Sequence, residues 1–293
     1  MGILGKLPEG LACRTIEKDD WCGVIDCLGR GFPEHPRRHW QDALERMAAR
    51  PVVDDHPQHG YCLASEGQIV GVMLTLFFRQ PALAAQPVRC NLSSWAVDEP
   101  FRSYAGKLIM TAMRRREVTF LSITPAPITL KVTEGLRFQR FADGQQAFLP
   151  ALSTVKTSTR VVVARRSAEL ELLPEAERRL LIDHADLGCD ALICVQGAHA
   201  YPFVLKSRRI LRGLLPCSQV IYCRSVEALG QCAGAIGRHL LRKGRVLCVV
   251  DANTPIPGLV GRYFPDIGPK YYKGPNPPFP GDLAYTEFVL FSA

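Results

Sequence analysis

The chain has 293 residues, of which 47% are apolar and 22% charged, and its formal net charge is +8. That balance is ordinary for a globular protein, supplies a substantial core and fits one large domain or two of usual size. It excludes a helical membrane protein, since no run approaches the roughly 18 consecutive apolar residues of a spanning helix.

The amino terminus, MGILGKLPEG, lacks the long apolar stretch and cleavage site of a signal peptide, and Lys6 argues against a myristoylation signal. Leu11 to Ile16 is predicted as a strand. Asp19 and Asp20 then open an amphipathic helix to about Gly29, with Trp21, Val24, Ile25 and Leu28 on one face. A second helix is expected from Pro36 to Ala49. Tyr61 to Ser65 and Ile69 to Phe78 form a hairpin around EGQ, because Gly67 permits a tight turn. Val88 to Val97 is a further strand, Ser103 to Arg115 a helix, Val118 to Ile123 a strand and Pro127 to Gly135 a short helix. Phe138 to Phe141 and Gln146 to Leu149 complete the first half as two antiparallel strands around ADGQ.

Pro150 to Arg160 is polar and short in side chains, and suits a linker or a crossing strand. The series then begins again. A helix is expected from Pro174 to Leu187 and a hairpin from Ala191 to Leu205. A strand from Ser218 to Cys223, a helix from Val226 to Arg242 and a strand from Arg245 to Val250 follow. The chain closes with a short helix from Pro257 to Phe264, a strand around Tyr271 and a last strand from Ala284 to Phe291. The repeated order divides the chain into residues 1–150 and 151–293, two copies of one fold. KGPNPPFPG, with its four prolines, is a rigid loop.

The 11 cysteines are odd in number, contain no C-x-x-C pair and sit inside apolar runs, which points to reduced, buried thiols and a cytoplasmic location. The basic residues are scattered as RRR, RR and KSRR, and no nucleic-acid-binding signature accompanies them, so nucleic acid is not expected as a partner. HPRRH and HPQH each offer two histidines without a third ligand at a familiar spacing, so no metal is expected.

A strand, a turn and a helix N-terminus can hold a pyrophosphate, because exposed main-chain N–H groups donate to it and the helix dipole adds positive potential. VDEPFRSYAGKL has this form and resembles the acyl-CoA site of the general N-acetyltransferase-like (GNAT) superfamily, whose pattern is Arg or Gln, two residues, Gly, one residue, then Gly or Ala. Arg102 takes the first position; Ala105 stands where Gly is usual and Lys107 where Gly or Ala is usual. SITPAPITLKVTEGLRF resembles the family's next strand and helix.

The resemblance implies the acyl-CoA N-acyltransferase fold, an α/β (α+β) fold with a mixed, largely antiparallel sheet flanked by helices, here in two tandem copies. It implies acetyl-CoA or another acyl-CoA as cosubstrate, held by Trp95, Ala96, Val97, Arg102, Ser103, Tyr104, Ala105, Gly106, Lys107, Leu108 and Thr124. It implies acyl transfer to an amine or hydroxyl of a small-molecule or peptide acceptor by direct attack. Asn91, Ser93 and Ser94 line the acyl site or form a polar strand face. The family's usual strand carboxylate is missing from VRCNLSSWAV, and Thr133 occupies the position of its usual acid, a tyrosine. Thr133, Glu134 and Ser122 are therefore the catalytic candidates. On the expected last strand Tyr285 and Glu287 share a face, which is either wet or turned to a cleft between the halves. His35, after the first helix, is a specificity candidate. The departures leave a second reading, a non-catalytic protein of the same fold that binds acyl-CoA or a protein partner.

Overall fold

The computed structural model describes residues 7–80, 85–153, 155, 158–165, 167–210 and 214–291. The chain opens with β1 (Leu11–Thr15), α1 (Trp21–Gly31) and α2 (Arg37–Ala48). β2 (Gly60–Ser65) and β3 (Gln68–Arg79) are joined by the two residues Glu66 and Gly67, with φ of 50° and 82°. Two left-handed residues in a row match the right-handed twist of the flanking strands, so this turn fixes the register of the hairpin. β4 (Val88–Val97), a 3-10 turn over Glu99–Tyr104, α3 (Ala105–Ala112), β5 (Thr119–Ser122), α4 (Pro127–Gly135) and β6 (Gln139–Phe148) complete the first half. The second half holds β7 (Arg160–Val163), α5 (Glu175–Asp186), β8 (Asp190–Gln196), β9 (His199–Ile210) and β10 (Leu215–Cys223). It ends with α6 (Val226–Leu241), β11 (Cys248–Ala252), β12 (Gly261–Lys273) and α7 (Glu287–Leu290).

All twelve described strands form one sheet in the order β1-β2-β3-β4-β5-β12-β6-β11-β10-β9-β8-β7. Only β4 with β5 and β10 with β11 run parallel, so the sheet is mixed and largely antiparallel, as expected. Successive residues of each strand face opposite sides. Cys62, Val72 and Leu74 meet Val24, Leu28 and Leu44 of α1 and α2, while Leu63 and Met73 meet Leu108 and Ile109 of α3. The second half repeats this with Ile193 and Val204 under α5 and Leu192 and Phe203 under α6. Phe78, Leu121 and Phe141 of the first half belong to the same core as Leu180, Ile221 and Leu283 of the second.

At the centre each half lends the other a strand. β12 lies between β5 and β6, and β6 lies between β12 and β11. This overturns the expected pair of short strands around ADGQ: β6 runs unbroken from Gln139 to Phe148. Gly144 faces Ala252 on one side and Pro265 on the other, and a Cβ there would lie 2.2 Å from the Phe264 carbonyl oxygen. The glycine serves close approach between strands, not a turn. The expected helix from Pro257 to Phe264 is replaced from Gly261 onward by β12. The expected helix from Ser103 starts in the 3-10 turn and becomes α-helical only at Ala105. The expected last strand is absent as well: Gly281 to Leu283 run beside β10, Tyr285 has φ of 59°, and α7 follows.

Candidate functional site

β4 and β5 pair only from Arg89 to Asn91 against Thr119 to Leu121. Beyond Asn91 the two strands splay, and β4 carries a bulge at Ser94, whose φ is 42° and which opposes no residue of β3. A bulge re-aims the backbone and ends regular pairing, which is why bulges recur beside reacting groups. A cavity of about 730 Å³ opens over the splay. Leu92 to Trp95 form its floor, with Ser122 and Thr124 on the far side of the gap. The loop between α1 and α2 supplies His35, and the second half closes the cavity with β9, β10 and α7.

The carboxylate absent from the central strands comes from the other end of the chain. Glu287 is buried at the cavity wall. Its main-chain N–H donates to Asn91 Oδ1 at 2.8 Å, and its two carboxylate oxygens accept from the hydroxyls of Ser93 and Thr124. The side chain thus bridges the two lips of the splay. Burial pushes its pKa above the ordinary glutamate range, against the opposing pull of the two hydroxyls and of the Lys270 charge. Lys270 is itself buried, donates to the Gly268 carbonyl at 2.7 Å and lies 3.5 Å from Asp251.

A chain of contacts holds Glu287 in place. Asp282 forms a wholly buried ion pair with Arg89 at 2.6 Å and accepts from Gln80 at 2.7 Å. Leu283 N–H donates to the Ile221 carbonyl at 2.8 Å, and Cys223 N–H to that of Gly281 at 3.0 Å. Gly281 has φ of 89°, and a Cβ there would stand 2.5 Å from Cys223 Sγ, so only glycine fits. Tyr285 N–H donates to His184 Nε2 at 3.1 Å, and its hydroxyl to Asp183 at 2.8 Å.

This segment makes the two halves unequal. β10 and β11 pair only at Ser218 and Gln219, so they splay as β4 and β5 do. There, Gly281 to Leu283 hydrogen-bond along β10 and occupy the gap. The gap beside β4 keeps its cavity; the gap beside β10 is filled by the chain itself.

No protein-family model matches the chain, and no curated protein matches it by sequence. Solved structures match it by shape. It is similar to a candidate acetyltransferase from Pyrococcus horikoshii at 11% identity and a TM-score of 0.52, with 97% of each chain covered. A GCN5-related N-acetyltransferase from Anabaena variabilis gives 9% identity and a TM-score of 0.55, over 89% of this chain and 72% of the other. One from Kribbella flavida gives 13% and 0.53, over 89% and 70%. The chain has the GCN5-related N-acetyltransferase fold.

Within that fold the residues singled out from the sequence fall into two groups. Trp95, Ser122, Thr124, Thr133 and His35 line the cavity. The Trp95 indole N–H is buried without a partner, and Thr133 donates its hydroxyl to the Thr129 carbonyl at 2.9 Å. Ala96 packs against Gly31 of α1, and Val97 pairs with Gly71 of β3. Among the described residues, Arg102 to Leu108 lie outside the cavity lining. Arg102 and Ser103 are exposed, with Arg102 at 4.0 Å from Glu99. Tyr104, Ala105, Gly106 and Lys107 are half-buried around the start of α3, and Leu108 is in the core. Glu134 is exposed and outside the lining. The strand expected to carry Tyr285 and Glu287, with their shared face either wet or turned to a cleft, gives way to a short helix that sets Glu287 at the cavity wall. Arg208 appears in the sequence only as part of the basic run KSRR, and nothing there singles out Gln219 or Lys270. The alternation of Lys206 and Arg208 on one face of β9 was a usable signal for the first of these, and the sequence around Lys270 holds none.

Proposed function

We propose that the protein is an acyl-CoA-dependent acyltransferase whose reaction takes place at the β4–β5 splay, with Glu287 as general base. The observation that carries this reading is Glu287 itself, a buried carboxylate set across both lips of the splay. Acyl-CoA fits the site on two counts. The β4 edge beyond Asn91 has no β5 partner, which leaves main-chain groups for an extended acyl-pantetheine arm, and the buried Trp95 N–H lacks an acceptor. Trp95, Ala96, Val97 and Thr124 would line the arm, and the turn from Arg102 through Ser103, Tyr104, Ala105, Gly106 and Lys107 to Leu108 would meet the phosphates.

The bound thioester supplies an acyl carbon open to direct attack. Glu287 takes the proton from the attacking amine or hydroxyl as the new bond to the acyl carbon forms and the carbon–sulfur bond breaks. A carboxylate whose pKa is raised by burial is a stronger base than an ordinary one and removes a proton from an ammonium more effectively. Ser93 and Thr124 hold the carboxylate in one orientation, which is the positioning part of catalysis. Ser122 and Thr133 stand at the same cavity as polar lining. The acceptor, a small molecule or a peptide end, would approach between the halves. The same reading divides the chain into residues 1–150 and 151–293, one cofactor-binding copy and one diverged copy. Eleven free thiols suit the reducing cytoplasm.

A binding-only role is favoured by one observation: Thr133, in the place of the family's usual tyrosine acid, gives its hydroxyl proton to the Thr129 carbonyl at 2.9 Å. Calorimetry with acetyl-CoA and longer acyl-CoAs, followed by thiol release with candidate amines, separates the two. Binding lost in Arg102→Glu together with thiol release lost in Glu287→Gln is the expected result. Binding without release for any amine leaves the binding-only role, and no binding to any acyl-CoA removes the transferase and leaves only the form of that role that binds a protein partner.

A further inference from the structure

The cavity wall opposite the β4 floor is cationic. Lys206, Arg208 and Arg209 of β9 line it together with His35 and His39, against the acidic residues Glu34 and Glu287. Lys206 is already engaged, donating to the Leu187 carbonyl at 3.0 Å. Arg208 is different. One guanidinium nitrogen donates to Gln219 Oε1 at 3.0 Å, and the guanidinium carbon sits 5.2 Å from the centre of the Phe288 ring. Gln219 is wholly buried and donates its own N–H to the Val220 carbonyl at 3.3 Å, so its oxygen is fixed toward Arg208. Among the described residues the partners of Arg208 are Gln219 and the Phe288 ring, neither of them a carboxylate. A half-buried guanidinium braced by an amide and an aromatic face, with no further partner among the described residues, is built to take a planar or tetrahedral oxyanion through paired N–H donors.

Phe288 follows Glu287 on α7, so the Arg208 guanidinium packs against the helix turn that carries the carboxylate bridging the splay, and both side chains line the same cavity. We propose that the acceptor is an amine carrying an oxyanion, a carboxylate or a phosphate, which Arg208 binds while Glu287 faces the amine. This rests on the transferase reading for the role of Glu287, but the recognition of the oxyanion by Arg208 is separately measurable. A neutral amine of the same shape leaves Arg208 without its partner and gains nothing from the cationic wall. The discrimination expected is about tenfold to a hundredfold.

The test uses the full chain and primary amines in matched pairs: phenylalanine with phenylalaninamide and glutamate with its diamide for the carboxylate, glucosamine 6-phosphate with glucosamine for the phosphate. Binding in the presence of CoA is read by calorimetry, and turnover with acetyl-CoA by thiol release. In at least one pair the oxyanion-bearing amine is expected to bind at least tenfold more tightly, and the pair that responds identifies carboxylate or phosphate. Arg208→Gln should bring that ratio close to one while acetyl-CoA affinity is kept; Arg208→Lys should restore part of it. Equal or tighter binding of the neutral amine in every pair overturns the inference, as does a ratio that Arg208→Gln leaves unchanged. Failure of the wild-type protein to bind acetyl-CoA or to release thiol sinks the transferase reading instead, and leaves the amine pairs to decide this one by binding.

Discussion

Glu287 concentrates the chemistry of the molecule in one side chain. Its hydroxyl partners fix its direction, and its burial sets its proton affinity above that of a free glutamate. Only the ionised form removes a proton, so the turnover rate should rise with pH through the raised pKa and level off above it, a profile that Glu287→Gln abolishes with a loss of roughly 100-fold to 10,000-fold in kcat. The folded chain binds this proton more tightly than the unfolded chain. Its contribution to stability is therefore full below the ordinary glutamate pKa and is lost as pH rises through the raised value. Glu287→Gln should accordingly gain stability relative to wild type at pH 8 and not at pH 4, measured by urea denaturation. An unchanged difference between the two pH values would mean that Glu287 is not a buried, perturbed acid. Glu134, in contrast, is exposed, and Glu134→Gln should leave turnover within about twofold, since surface substitutions away from a site rarely matter.

At the scale of elements, the run from Gly281 to α7 acts as one unit that plugs the β10–β11 gap and delivers Glu287 to the β4–β5 gap. Asp282 anchors it. Asp282→Ala leaves Arg89 charged and unpaired in the interior and should cost roughly 3–5 kcal/mol, read from urea denaturation, with turnover falling as Glu287 loses its seat. A cost below about 1 kcal/mol would show that the segment is held elsewhere. His184 is the second anchor. Its Nδ1 meets the Leu180 carbonyl at 2.8 Å, which can only accept, and its Nε2 meets the Tyr285 N–H, which can only donate, so the ring must be neutral with the proton on Nδ1. Burial pushes its pKa down to about 4. The folded state resists protonation here, so this stabilisation is present above the usual histidine pKa near 6.5 and lost as pH falls toward 4. Up to roughly 3 kcal/mol should disappear across that window, and a His184→Gln variant should show a flatter stability profile between pH 6.5 and 4.

For the whole molecule, the exchange of β6 and β12 matters most. Neither half can complete its central strands alone, because β5 meets β12 and β11 meets β6. The shared core ties them further. The two halves should therefore unfold together. The three tryptophans, Trp21, Trp40 and Trp95, all lie in the first half, so their fluorescence follows that half while far-ultraviolet circular dichroism follows the whole chain. The two urea curves should coincide, as a two-state transition requires. A tryptophan transition separated from the circular dichroism transition would show instead that the halves are independent. The described helices include none long and apolar enough to cross a membrane.

Local sequence signals are enough to place the outer elements and the order in which they come. The β2–β3 hairpin is legible because Glu66 and Gly67 demand a turn between two apolar runs. The helices α1, α2, α5 and α6 are legible because their apolar residues recur at helical spacing. The likeness of VDEPFRSYAGKL to a phosphate-binding turn points to the fold, and Ser122, Thr124 and Thr133 are each legible as candidates from that resemblance, whereas their meeting at one cavity is not. The rest depends on pairing between distant segments. Gly144 looks like a turn residue until two strands from distant sequence close on it. Tyr285 and Glu287 look like one face of a strand until Asp282 and His184 pull the segment off the sheet. Glu287 and Ser93 are 194 residues apart. Local periodicity carries information over a turn or two of chain, whereas the seating of this carboxylate depends on which distant strands pair and which gap is left open, and that is settled only when the whole sheet forms.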